Sequence, residues 1–299
     1  MNSRPLHSKI FRWYNKNARH LPWRGSKNPY RILLSEIMAQ QTQVSRVIVF
    51  YKEWLLKFPT FSVLAKASKP DVLLQWSGLG YNSRALRLHA LAKHVTENFN
   101  GALPRTVNEL LQLSGIGKYT AHAIACLAFG ENIAVVDVNV RRIYSRLLWR
   151  VRSSADLKSE TAIWEIAKSY LPNRNAADWN QALMDLGALI CTARNPKCDI
   201  CPANAQCESA FSKALLKQPK SEKRTEPSFK GIPRRIYRGR ILKALHDKPL
   251  TSRQIASRVI DRFRLHDLKW MDGILEKMEG EALITIHRIG ARKKVSIAR

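Results

Sequence analysis

Through the first two thirds of the chain, apolar residues return at intervals of three and four. Ile32, Leu33 and Ile37 set the pattern, and Val44, Val47, Ile48, Tyr51, Trp54 and Leu55 continue it. That interval stacks side chains on one face of an α-helix, so these stretches predict amphipathic helices around a core. Residues 85–95, 107–113 and 119–129 keep the same period. Breakers separate them: Pro59, Gly78 to Gly80, Gly101 to Pro104, Gly115 to Gly117, and Pro172. Residues 212–233 (SKALLKQPKSEKRTEPSFKGIP) turn polar and breaker-rich, the composition of a linker. Beyond them Ile241, Leu242 and Leu245 mark one helix. Thr251 suits the N-cap of a second over 252–260, and residues 268–278 give a third. Residues 282–286 and 294–297 read as short strands around the basic stretch 288–292. The expected fold class is mainly α: a helical core over 1–211, a linker over 212–233, and a small winged-helix-like basic domain over 234–299.

Charge changes the picture most. The 299 residues hold 51 Lys and Arg against 23 Asp and Glu, a net charge of +28. Residues 1–211 and 212–299 each carry about +14 of it, so the shorter part is the denser. Solubility needs far less, and the excess asks for a polyanionic partner, nucleic acid first. No run approaches the roughly 20 apolar residues that span a bilayer, and the first residues lack the apolar stretch of a secretory signal. A membrane partner is excluded on this reading, and the expected place is intracellular, cytoplasmic or nucleoid-associated.

Four of the five cysteines crowd together as Cys191, Cys198, Cys201 and Cys207, spaced Cys-x6-Cys-x2-Cys-x5-Cys. A disulfide framework is unexpected in an intracellular chain. Four thiolates in so short a loop suit zinc or an iron–sulfur cluster. Cys126 stands apart on an apolar helix and reads as core.

Two further segments carry chemistry. In LSGIGKYTA, Gly115 and Gly117 allow a tight turn between two helices, and the amides opening the next helix form a phosphate-ready end beside Lys118. In AVVDVNVRR, Asp137 closes an apolar run and precedes a helix, a good N-cap position, with Asn139 two residues on.

These segments together resemble one family. CTARNPKCDICPANAQC is similar to the cluster loop of the endonuclease III and MutY families of DNA glycosylases, and LSGIGKYTA resembles their helix-hairpin-helix. PWR at 22–24 with LSEIMAQQTQ at 34–43 resembles the MutY-type adenine glycosylase motif. The resemblance covers roughly residues 8–211. It implies a helical barrel over about 25–134, a terminal lobe from 1–24 and 135–211 with the cluster loop at 191–207, and DNA in the cleft between them. It implies a [4Fe–4S] cluster on Cys191, Cys198, Cys201 and Cys207, and double-stranded DNA with a mispaired or damaged base as partner, bound by a monomer. Asp137 is then the catalytic aspartate supported by Asn139, and Glu36 the acid that protonates adenine N7. Gln41 and Tyr81 wedge into the base stack. Arg24, Gln40, Gly115, Gly117, Lys118, Arg194 and Lys197 contact DNA. Bifunctional relatives have a nucleophilic lysine where this chain has Tyr119, so the implied enzyme is monofunctional.

The expected reaction is hydrolysis of the bond to an adenine mispaired with guanine or 8-oxoguanine. Two alternatives stay open on the sequence: a thymine or uracil mismatch glycosylase, and a cluster-containing DNA-binding regulator without catalysis. Ser114 stands where the family usually has Pro, Asn82 replaces a common second aromatic, and the tail differs from the Nudix-like domain usual in MutY proteins.

Overall fold

The structure, a computed structural model, describes residues 4–151, 158–213, 226–289 and 292–298. In chain order its first helices are α1 (Arg4–Asn17), α2 (Pro29–Ala39), α3 (Val44–Lys57), α4 (Phe61–Lys66), α5 (Lys69–Trp76) and α6 (Ser83–Asn98). Then follow α7 (Val107–Leu111), α8 (Lys118–Leu127), α9 (Val138–Leu148), α10 (Glu160–Ser169) and α11 (Ala176–Leu189). No helix among the described residues is long and apolar enough to cross a membrane. Contacts group the chain into two units. One comprises Met1–Leu33, Arg105–Gln112 and Ile116–Lys223; the other comprises Leu34–Pro104, Leu113–Gly115 and Arg224–Arg299.

In the first unit the apolar stripes of α1, α9, α10 and α11 meet. Ile10, Val140, Tyr144, Ile163, Trp179 and Leu186 are buried together there. Each such side chain contributes about 1.5–3 kcal/mol on leaving water. One carboxylate lies inside this unit: Asp185 of α11, with no exposed side-chain surface. Arg24 grips it with both amino groups at 2.6 Å, and Arg19 adds its Nε at 2.6 Å and its backbone N–H at 3.0 Å. Burial alone would raise the Asp185 pKa, but the Arg24 and Arg19 bonds and charges outweigh it and hold it below the ordinary value. The segment after α1 is thereby tied to α11.

In the second unit Trp54 of α3 meets Trp76 of α5 edge-on at 5.3 Å, and Leu64, Leu88, Ala92 and Val95 are buried in the same unit. The stretch read as a linker falls largely on 214–225, outside the described residues. Its last residues are not extended linker: β1 (Ser228–Phe229) and β2 (Ile232–Pro233) pair antiparallel across a turn at Lys230 and Gly231. The tail then runs α12 (Arg234–Ala244), β3 (Leu250–Thr251), α13 (Ser252–Val259), α14 (Leu268–Gly280), β4 (Ile284–Ile289) and β5 (Arg292–Ile297). Thr251 does cap α13, in a capping box with Gln254. The three strands order β3-β5-β4, so helix, strand, helix, helix and hairpin give the winged-helix layout. Ile284, Ile286, Val295 and Ile297 alternate inward and fix the hairpin register. Strand β3 has two residues, too few for an alternation to show in sequence. The tail packs on α5, where His246 Nε2 lies 3.4 Å from Asp71 Oδ1.

Asp185→Asn removes the charge that two guanidiniums share. Breaking a buried pair in this way costs about 3 kcal/mol, and the apparent Tm should fall by roughly 6–10 °C. Because the carboxyl titrates below its ordinary 3.8, its contribution is complete at neutral pH and fades only as pH drops below that value. A melting temperature equal to that of the parent protein at pH 7 would show that the network is not stabilising.

Candidate active site and cluster loop

Asp137 follows the buried run Ala134 to Val136 and begins α9. Its Oδ1 accepts from the backbone N–H groups of Asn139 (2.9 Å) and Val140 (2.7 Å), and its Oδ2 accepts from Asn139 Nδ2 (2.6 Å). Three neutral donors therefore fix a half-buried carboxylate. Asn139 is fixed in turn, since its Oδ1 accepts from Arg142 Nη2 at 2.8 Å. Arg142 also donates to the carbonyls of Gly187 (2.7 Å) and Cys191 (2.8 Å). The close approach of α9 to α11 needs a glycine at 187: an added Cβ would lie 2.6 Å from the Cβ of Asn139.

Tyr119 and Lys118 open α8. Gly117 is the N-cap and puts no side chain over the helix start, while Gly115 before it takes φ +91°. Tyr119 is half-buried. Lys118 is exposed, and its ammonium sits 4.4 Å from the centre of the Trp164 ring, held over that ring's negative face.

In the second unit Glu36 is half-buried on α2, one turn before Gln40. Gln40 and Gln41 follow the end of that helix and are exposed, with Gln41 at φ +55°. Tyr81 is also in the left-handed region, φ +49°, and is 60% exposed, which excludes a core role. Beneath both turns lies Arg84, only 4% exposed. A pocket of about 140 Å³ opens beside it, lined by Ile37, Gln40, Arg87, Ser114 and Gly115 among others.

The cysteine loop leaves α11 and makes two short 3-10 turns, Cys198–Ile200 and Asn204–Gln206. Cys191, Cys198, Cys201 and Cys207 line one cavity, and Arg146 braces the loop start through the carbonyls of Thr192 (2.7 Å) and Ala193 (2.9 Å). Four thiols ringing one cavity suit an iron–sulfur cluster, in which each cysteine takes its own iron. Arg194 and Lys197 are exposed on the same loop.

Of the residues expected at DNA, Arg24 has another task. Both its amino groups are bonded to Asp185, and the guanidinium lies over Tyr14, so it offers no free fork to a phosphate.

A family model described as HhH-GPD superfamily base excision DNA repair protein matches residues 34–169, and one for the iron–sulfur binding domain of endonuclease III matches 191–202. The adenine DNA glycosylase of Mycobacterium tuberculosis is 36% identical over 282 residues, covering 93% of this chain and 90% of that protein. The chain belongs to the adenine DNA glycosylase family. The human adenine DNA glycosylase is 41% identical over 213 residues, 67% of this chain and 38% of the human one. The mycobacterial match therefore extends into the tail, and the human one is confined to about two thirds of the chain. A thermostable thymine-DNA glycosylase of known structure superposes with a TM-score of 0.63 at 33% identity, over 69% of this chain and 94% of that one. The enzyme is thus a base excision repair DNA N-glycosylase with a [4Fe–4S] cluster, which the four loop cysteines would hold.

Sequence reasoning missed Arg84, Arg142, Asp185 and Gly187. Two of them left a trace. Gly187 is a glycine inside a helix with no turn to make, and Arg84 is a charge within the stripe Arg84, Leu88, Leu91, Val95.

Gly187→Ala should displace Asn139 and slow single-turnover base release about 100-fold, the scale on which a misplacement of about 1 Å acts. Iron content should stay at the parent level. Parent-like rates would show that the glycine contact does not hold the carboxylate site. Cys198→Ser should lose iron from a content of about four per chain; zinc without iron in anaerobically prepared parent protein would exclude the cluster.

Proposed function

We propose that this adenine glycosylase acts on adenine mispaired with guanine or 8-oxoguanine, as a monofunctional monomer on double-stranded DNA. The observation that carries the reading is the fixed Asp137 carboxylate, held by three neutral donors at the start of α9. Breaking the bond between N9 and C1′ builds positive charge on the sugar. A preorganised carboxylate stabilises that cation or adds to it covalently. Glu36, half-buried on α2, supplies the proton to adenine N7, so the electron pair of the breaking bond leaves on a neutral base. Water adds to C1′, a carboxylate takes its proton, and an abasic site remains.

Monofunctional action fits the start of α8. The side chain at 119 is a phenol, and the neighbouring amine of Lys118 rests on Trp164. Gln41 and Tyr81 fit the wedge that fills the stack when adenine leaves it, since both are exposed on strained turns. Gln40, Gly115, Gly117, Lys118, Arg194 and Lys197 line the DNA path, with Asn139 supporting Asp137.

The tail adds a second DNA contact. Arg235 and Arg238 are paired with Glu226 and Glu281, and Arg240 lies 3.6 Å from Asp261. Lys269 on α14 and Lys293 and Lys294 on the hairpin are exposed. These lysines, rather than Arg235, Arg238 and Arg240, meet the phosphates.

Three measurements test this. Glu36→Gln and Asp137→Asn should each abolish adenine release from A·G and A·8-oxoguanine duplexes while leaving duplex affinity nearly intact. Normal release by Glu36→Gln, or release of thymine from T·G by the parent, would favour the thymine reading. Borohydride should trap no covalent adduct with the parent protein and some with Tyr119→Lys; a strong parent adduct would end the monofunctional assignment. Replacing Lys293 and Lys294 with Ala should lower the slope of log affinity against log salt by about 1–2, and an unchanged slope would remove the tail from the DNA interface.

A further inference from the structure

Arg84 is unusual for its surroundings. It is 4% exposed, and no carboxylate lies within ion-pair distance among the described residues. Its Nη1 donates to the carbonyls of Ile37 (2.8 Å), Met38 (3.1 Å) and Gln40 (2.6 Å), at the end of α2. Its Nη2 donates to Thr42 Oγ1 (3.1 Å) and to the carbonyl of Gly80 (3.1 Å). The guanidinium carbon lies 5.4 Å from the ring centres of both Trp76 and Tyr81. Burial lowers the pKa of the group to about 10, so it remains charged near neutrality.

One buried cation therefore binds two separate turns. The Gln40 to Thr42 turn carries Gln41 at φ +55°, and the Gly78 to Gly80 turn ends in Tyr81 at φ +49°. Positive φ is disfavoured for both residue types and persists only where the surroundings hold it. Two of the four carbonyls that Arg84 gathers adjoin these residues: Gln40 immediately precedes Gln41, and Gly80 immediately precedes Tyr81. A lysine has no planar fork and cannot reproduce this pattern.

We propose that Arg84 is the positioning residue that locks Gln41 and Tyr81 into one rigid wedge, so that its loss impairs extrusion of the target base rather than DNA binding or bond cleavage. The proposal rests on the reading of those two residues as the wedge. Arg84 touches no reacting atom; it acts through the two turns. Removing the lock leaves each wedge residue attached to a turn free to relax to negative φ, and an unfilled stack returns the base.

The test uses the full-length holoprotein and duplexes carrying 2-aminopurine at the target position, whose fluorescence rises on unstacking. Arg84→Lys should lose most of that rise and slow single-turnover adenine release about 10- to 100-fold. Its affinity for a fully matched duplex should stay within about threefold, because phosphate contacts are untouched. Added to the Gln41→Ala, Tyr81→Ala double variant it should slow release no further, since it acts only through those two residues. A full fluorescence rise in Arg84→Lys, with Tyr81→Ala deficient, would overturn the proposal and leave the wedge reading standing. So would a further loss when Arg84→Lys is added to that double variant. If Tyr81→Ala and Gln41→Ala both flip the base normally, the wedge reading fails and the proposal with it. Thr42→Val, which removes one acceptor of Arg84 and the hydroxyl's own bond to the Gln40 carbonyl, gives the milder arm should Arg84→Lys lose its helical circular dichroism. It should show a smaller deficit of the same kind, and unimpaired flipping in it would count against the lock.

Discussion

The carboxylate site depends on a missing methyl group. Asn139 occupies the space that a side chain at Gly187 would take, and from there it donates to Asp137 and accepts from Arg142. Helices α9 and α11 can approach this closely only with glycine at that position. The approach also brings the Gly187 carbonyl within reach of Arg142, which bonds Cys191 at the start of the cysteine loop as well. One steric allowance thus sets where the carboxylate and its supporting amide lie. Asp137 satisfies the open amides of α9, and the same bonds hold its carboxylate where the proposed chemistry would use it.

A net charge of +28 suggests a surface covered with phosphate contacts, and the structure qualifies that picture. Arg84, Arg142 and Arg146 are largely withdrawn from solvent, and each binds backbone carbonyls rather than carboxylates. Arg24 serves Asp185. On the tail, α12 arginines meet glutamates. The basic excess therefore divides into groups that brace loops from within, that pair with carboxylates and that remain exposed. Arginine suits the first task because its planar fork satisfies several carbonyls at once.

Much of the scaffold was legible in the chain. The three-four periodicity gives α2, α3, α6 and α8 with small boundary shifts, because a half-buried helix must repeat its apolar residues at that interval. Thr251 and Asp137 announce helix starts because their short side chains accept from the following amides. The cysteine spacing marks a ligand loop because few other reasons crowd four thiols together. What stayed hidden depends on partners distant in sequence. Nothing local shows that Arg84 reaches carbonyls more than forty residues earlier, or that Arg24 meets Asp185. The alternation in β3 was too short to register, and the last part of the apparent linker pairs as a ribbon because Gly231 permits the turn.

In the proposed mechanism Glu36 protonates adenine at N7 while Asp137 meets the developing cation. The most direct measurement compares single-turnover release of adenine and of 7-deazaadenine, which keeps the base's shape but lacks the accepting nitrogen, from otherwise identical duplexes. The parent enzyme should bind both duplexes and release 7-deazaadenine no faster than Glu36→Gln releases adenine. Release of 7-deazaadenine at the rate of adenine would contradict that mechanism.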